Sequence, residues 1–146
     1  MRYDLAIIGA GWAGVSAARE AKARGMKACI IERGDLGGTC LNRGCIPTKA
    51  LIQAAKVYTT AKKASVFGIT GSVPQLDMNA VIARKDKIVR QLTAGVSFLL
   101  KGVDVVRGQA RFLSANELQA GEQRIEASSV LIATGSRPQE LSFLPF

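Results

Sequence analysis

The sequence predicts an α/β fold with a parallel sheet, long helices and a small antiparallel β-meander, and three observations predict it. First, the short apolar runs Tyr3–Gly9 (YDLAIIG), Met26–Glu32 (MKACIIE) and Val130–Ala133 (VLIA) read as strands buried on both faces, as in a parallel sheet, with no polar alternation. Second, the alanine-rich segment Ala13–Arg24, stopped by Gly25, reads as the crossover helix of a strand–helix–strand unit of about 30 residues. Third, Val81, Ile88, Leu92, Val96, Leu99 and Leu100 recur at three- and four-residue steps, predicting a long amphipathic helix over Met78–Lys101 with one face packed on the sheet.

The other elements follow from local chemistry. Cys40–Lys63 predicts one helix with Pro47 near its start, where a missing N–H is tolerated. Val66–Gln75 holds two glycines and a proline and reads as a loop. Val103–Val106, Ala110–Leu113, Glu117–Ala120 and Gln123–Glu126 read as short strands joined by turns. There is no internal repeat and no low-complexity linker. The terminal ELSFLPF is mostly apolar, with Glu140 and Ser142 its polar residues, so the expectation is a cut end.

A chain of 146 residues with 48% hydrophobic and 21% charged residues can bury a real core, which excludes long disordered tracts. No segment approaches the roughly 18 apolar residues of a membrane span, and the N-terminus lacks the pattern of a signal peptide. The expected location is cytoplasmic, where two close cysteines are more often catalytic or metal-binding than a lasting crosslink. The net charge is +9, yet Lys56, Lys62, Lys63, Arg84, Lys85, Lys87 and Arg90 are interspersed with apolar residues at helical spacing. That is the pattern of solvated faces, so nucleic acid is not the expected partner. The chain has no histidine, so proton transfer near neutral pH must use other groups.

Gly9, Gly11 and Gly14 form GAGWAG, a G-x-G-x-x-G fingerprint between a predicted strand and a predicted helix, with Glu32 at the end of the next strand. The spacing has a physical basis. Gly9 permits a tight turn, Gly11 lets backbone approach a pyrophosphate, and Gly14 lets the helix lie close to the strand. The helix start then offers N–H groups and a positive dipole end to phosphates, and Glu32 would accept hydrogen bonds from a ribose. This Rossmann-like reading does not separate FAD from NAD. Its alternative is an α/β domain with turn glycines and a chance surface glutamate. Trp12 reads as a packing or interface residue.

Cys40 and Cys45 pose a separate question. Positions five apart on a regular helix are about 7.5 Å apart along its axis, too far and too rotated for a disulfide. Gly44 and Pro47 are residue types that allow a distorted first turn. A zinc site would need about four ligands, against three cysteines and no histidine. Inert free thiols also fit the spacing. Cys29 reads as a small buried hydrophobe.

The stretch Gly37–Lys49 (GGTCLNRGCIPTK) resembles the redox-active motif of the FAD-dependent pyridine nucleotide-disulfide oxidoreductases. The likeness runs from Tyr3 to Pro138 and takes in the fingerprint, Glu32 and ATGSRP. The motif's wording is most like the dihydrolipoamide-oxidising members, with mercuric and glutathione reductases as alternatives. The resemblance implies that Cys40 is the interchange thiol, that Cys45 faces the flavin, and that Lys49 approaches the flavin ring. It also implies FAD contacts from Gly9, Gly11, Ala13, Gly14, Glu32, Arg33, Gly38, Thr39, Cys40, Lys49, Ala110, Thr134, Gly135 and Ser136. Ala110 would contribute through its backbone, where relatives often carry glycine.

The implied substrate is a small dithiol or disulfide, or a lipoyl-protein, with NAD or NADP as the nicotinamide and no membrane partner. The expected domain plan is that residues 1–146 form the N-terminal part of an FAD-binding domain. The NAD-binding and dimerisation domains of that family, which makes homodimers, are absent. The dimerisation domain carries the histidine and glutamate pair, so turnover by the 146 residues alone is expected to be incomplete.

Overall fold

The computed structural model describes residues 2–72 and 74–144. The expectation for the last two residues, Pro145 and Phe146, therefore lies outside the described residues. Two compact units divide the chain, one formed by residues through Gly34 and from Gly102 onward, the other by Asp35–Lys101.

The first unit is an α/β sandwich of one helix and a six-stranded sheet. It contains β1 (Arg2–Ile8), α1 (Trp12–Ala23), β2 (Ala28–Glu32), β3 (Asp104–Arg107), β4 (Ala110–Phe112), β5 (Glu117–Ala120) and β6 (Gln123–Ile132), in sheet order β3-β2-β1-β6-β5-β4. β1 pairs in parallel with β2 and β6, and β2 with β3, while β4, β5 and β6 form the antiparallel meander. The central register sets Ile7 between Ile30 and Leu131. Ile7, Ile30, Ile31, Leu118 and Ile125 are fully buried, each worth about 1.5–3 kcal/mol relative to exposure. Cys29 belongs to this core, as its reading as a small hydrophobe requires.

Two expectations change here. Gln123–Glu126 and Val130–Ala133 were expected as separate strands, but β6 runs unbroken through Ile132. Its first residues pair with β5 and its later ones with β1, so one strand joins the meander to the parallel half. Its apolar end is not buried, since Ile132 is 64% exposed. Trp12 at the start of α1, read as a packing or interface residue, is 48% exposed and so is not packed into this core.

The second unit is helical, with α2 (Gly38–Asn42), α3 (Cys45–Lys62), a 3₁₀ turn (Ala64–Phe67) and α4 (Met78–Leu99). Asp77 caps α4, its carboxylate accepting from the Asn79 and Ala80 N–H groups. Within this unit α4 packs on α3 and α2, so its amphipathic face meets helices where strands were expected. The expected single helix Cys40–Lys63 is two helices with a break at Arg43 and Gly44, because Gly44 takes φ −124° and ψ −109°, which is not helical.

Candidate functional site

In the α/β unit the glycine fingerprint builds a turn that leaves no room for side chains. Gly9 has φ +105°, and a Cβ there would overlap the backbone carbonyl of Ala133. A Cβ on Gly14 would overlap the Gly9 carbonyl. Gly9 N–H donates to Ile31 O and Ala133 N–H to Ile8 O, each at 2.8 Å, which ties the turn to the strands on both sides. α1 then starts at Gly11 with no side-chain cap and no acidic residue in its first turn. Its N-terminal N–H groups and positive end therefore suit an anionic group.

Glu32 leaves β2 beside this turn. Its two carboxylate oxygens accept from the N–H groups of Ala10 and Gly34, both at 2.7 Å. The Gly34 carbonyl in turn accepts from the Arg107 guanidinium. A cavity of about 190 Å³ is lined by Gly9, Glu32, Arg33, Ala110 and Thr134, together with Ile8, Ile31, Gly108 and Gln109. Its volume is below the roughly 300 Å³ at which whole drug-sized ligands are enclosed, and it suits one nucleoside end of a dinucleotide. Five predicted cofactor residues thus share one cavity. Gly11, Ala13 and Gly14 stand at the start of α1, and Gly135 and Ser136 follow Thr134 on the exposed segment after β6.

Sequence reasoning missed Gly108 and Gln109. Gly108 carried a usable signal, a glycine just after a strand. Its φ is +145°, its N–H donates to Glu32 O at 3.0 Å, and an added Cβ would lie 3.0 Å from Gly121 N. Gln109 carried none.

The helical unit holds the sulfur chemistry. Cys40 and Cys45 form a disulfide with Cα atoms 4.7 Å apart, a distance no regular helix offers five residues apart. The break at Gly44 supplies it. A Cβ on Gly44 would stand 3.2 Å from Thr39 O and 3.3 Å from the Cys40 Cα, so a side chain there would press on the residue carrying the partner sulfur. Cys40 is half-buried and Cys45 exposed. Cys45 opens an 18-residue helix with no side-chain cap and no acidic residue in its first turn, so a thiolate released there meets the positive helix end. Gly38 and Thr39 lie in α2 one turn before, and Lys49 is an exposed residue in the second turn of α3.

Asn42, which sequence reasoning also missed, braces the segment between the sulfurs. Its amide donates to Leu36 O at 2.9 Å and Gly38 O at 3.0 Å, and its amide oxygen accepts from the Thr93 hydroxyl at 3.2 Å.

Cys29 is in a different chemical state. It is fully buried in β2, and burial, reinforced by the charge of Asp104, pushes its thiol up to about 11. Burial, together with a hydrogen bond from its hydroxyl to Asp104 Oδ2 at 2.9 Å, likewise raises Tyr3 to about 12. Among the described residues no group of three or more His, Cys, Asp or Glu could hold a metal ion. No described helix is long and apolar enough to cross a membrane.

Comparison with known proteins fits this chemistry. A dihydrolipoyl dehydrogenase of Bacillus subtilis (strain 168) is 46% identical over 151 residues, covering 97% of this chain and 33% of that protein. One from Acholeplasma laidlawii is 44% identical, covering 92% and 41%, and one from Thermus scotoductus is 43% identical, covering 99% and 32%. The chain spans only 32% to 41% of the length of these relatives. Among solved structures, the Cu(II) complex of RclA, an HOCl-induced flavoprotein disulfide reductase from Escherichia coli, matches with TM-score 0.80 at 28% identity, over 97% of this chain and 30% of that one. A family profile described as pyridine nucleotide-disulphide oxidoreductase matches residues 3–145, and with a glycine turn and a disulfide of the kind that family uses, this chain belongs to the pyridine nucleotide-disulphide oxidoreductase family.

Proposed function

We propose that these residues are the FAD-binding and disulfide-bearing N-terminal part of a dithiol/disulfide oxidoreductase of the dihydrolipoyl dehydrogenase type, which oxidises dihydrolipoamide or a lipoyl-protein and reduces NAD. The observation that carries this reading is the Cys40–Cys45 bond across the Gly44 break at an uncapped helix start.

In this reading Cys40 is the interchange thiol. One substrate thiolate attacks the Cys40 sulfur, the Cys40–Cys45 bond breaks, and its electron pair leaves on Cys45, where the positive end of α3 favours the thiolate. The second substrate thiol then closes the substrate disulfide and releases Cys40. Two electrons and two protons have passed from substrate to the cysteine pair. Bound FAD would carry those electrons on to a nicotinamide.

For the cofactor, the uncapped start of α1 would receive the pyrophosphate, Glu32 and the cavity walls at Arg33, Ala110 and Thr134 would take the adenosine end, and Gly135 and Ser136 would follow them. Glu32 keeps capacity for ribose hydroxyls, since each carboxylate oxygen has a second lone pair beyond the Ala10 and Gly34 bonds. By the family resemblance Gly38, Thr39 and Lys49 would serve the flavin end, Lys49 contributing a positive charge. The nicotinamide site, the dimer-forming region and its histidine belong to sequence other than these 146 residues.

Purified protein tests this directly. The expected result is a yellow protein that releases FAD on denaturation and whose flavin bleaches on addition of dihydrolipoamide. A colourless protein that takes up no FAD would make the chain a non-catalytic relative. The likeness to RclA supports a second reading, a reductase running electrons from nicotinamide to a disulfide. Turnover of the full-length enzyme with dihydrolipoamide, oxidised glutathione and mercuric ion separates the two.

A further inference from the structure

The hydrogen bonds of Asn42 join the cysteine-bearing segment to a helix far away in sequence. Asn42 ends α2, two residues after Cys40. Its two amide donors reach Leu36 O and Gly38 O and close that segment on itself. Its amide oxygen accepts from Thr93 Oγ1 on α4, 51 positions on. α4 packs against α3, and α3 begins at Cys45. Cys40 is therefore referenced to the frame that carries Cys45 by the covalent link through Arg43–Gly44, by the packing of α2 on α3 and α4, and by the hydrogen bonds through Asn42 and Thr93.

The hydrogen-bonded route matters when the disulfide is open. The covalent link then allows α2 to shift about the non-helical Gly44 against its packing on α3 and α4, and among the described residues the Asn42–Thr93 contact is what ties α2 by a side-chain hydrogen bond to α4. We infer that Thr93, acting through Asn42, is a positioning residue for the Cys40–Cys45 couple, holding Cys40 within reach of Cys45 in the dithiol state. This rests on reading the pair as a dithiol/disulfide centre.

The reaction that reads it balances simply. Dithiothreitol and the protein disulfide exchange to cyclic oxidised dithiothreitol and two protein thiols, with two electrons and two protons transferred. The equilibrium depends on the effective concentration of one protein thiol at the other. Removing the tether gives the reduced segment more freedom and moves the equilibrium toward dithiol. The net worth of one hydrogen bond sets the change at about two- to tenfold.

The test is a redox titration of the whole chain in buffers of reduced and oxidised dithiothreitol, followed by acid quench and thiol labelling of Cys40 and Cys45. Three proteins are compared. Thr93→Val keeps the side-chain shape and removes the hydroxyl, whereas Thr93→Ser keeps the hydroxyl. Thr93→Ala replaces the valine variant should that one fail to fold, with the same expected direction. The expected result is a two- to tenfold shift toward dithiol for valine and a return to the unmodified equilibrium for serine. A valine variant that titrates with the parent, or a serine variant shifted as far as valine, overturns the inference. A parent protein that shows no two-thiol step at these cysteines removes the reading beneath it as well, so the two failures are told apart.

Discussion

The two units solve different problems with different materials. The α/β unit is organised by strands with fully buried Ile7, Ile30, Ile31, Leu118 and Ile125, and its glycine turn is fixed from both sides by strand hydrogen bonds. The helical unit, with as many residues as Asp35–Lys101 allows, buries few apolar side chains among its described residues, chiefly Leu36, Leu41, Ala50, Val96 and Leu100. Its functional corner is held by a covalent bond and the Asn42 hydrogen bonds. Its acidic residues are Asp35, Asp77 and Asp86, against lysines and arginines that include those along α3 and α4, so most of the chain's net positive charge resides there. The lesson is that the glycine turn is fixed by packing and strand hydrogen bonds, whereas the sulfur pair sits where a reversible bond can open without dismantling a core.

That contrast can be broken at its strongest point first. Gly9→Ala forces a Cβ into the Ala133 carbonyl at positive φ and should cost about 3 kcal/mol or more, lowering the melting midpoint by roughly 10 °C. Gly25→Ala has φ +72° and open space around it, and should cost only about 1 kcal/mol. Equal costs would show that the turn is not packed as described.

A smaller effect separates the units. Reducing the disulfide, or making Cys40→Ser, should remove about 2 kcal/mol of chain-closure stabilisation. Hydrogen exchange should quicken in α2 and the first turn of α3 and leave the β1, β2 and β6 amides unchanged. Exchange that quickens uniformly would contradict the division of labour.

Alkaline titration examines the core alone. Tyr3, raised to about 12, and Cys29, raised to about 11, bind their protons more tightly when folded than the unfolded chain does. Their contribution is therefore present below about pH 9–10 and lost as the pH rises through 11–12. Tyr3 should resist ionisation at pH 11 in the folded protein, read by ultraviolet absorbance.

The smallest effect expected is from the α4 cap. Asp77→Ala should cost about 1 kcal/mol, seen in thermal melts, with the glycine turn unaffected.

How much of this was written in the sequence follows from range. β1, α1 and β2 were legible because each is a contiguous pattern with a glycine stop. β6 was misread as two strands because Ser128 and Ser129 interrupt its apolar pattern, though the backbone continues while its pairing passes from β5 to β1. The split of α2 from α3 was half legible, since a disulfide at this cysteine spacing would require a distortion and Gly44 could supply it, but where the helix would break was not. The Asn42–Thr93 bond joins residues 51 positions apart, and nothing in either residue type announces its partner. The cavity wall at Gln109 is a matter of where a loop passes, which local pattern does not encode.

The most direct measurement is differential alkylation with peptide mapping, before and after one equivalent of dihydrolipoamide. The account predicts a Cys40–Cys45 crosslinked peptide at the start, both cysteines labelled after the dithiol, and Cys29 unlabelled in the folded protein throughout. A crosslink the dithiol leaves intact, or cysteines 40 and 45 free from the outset under oxidising conditions, would contradict it.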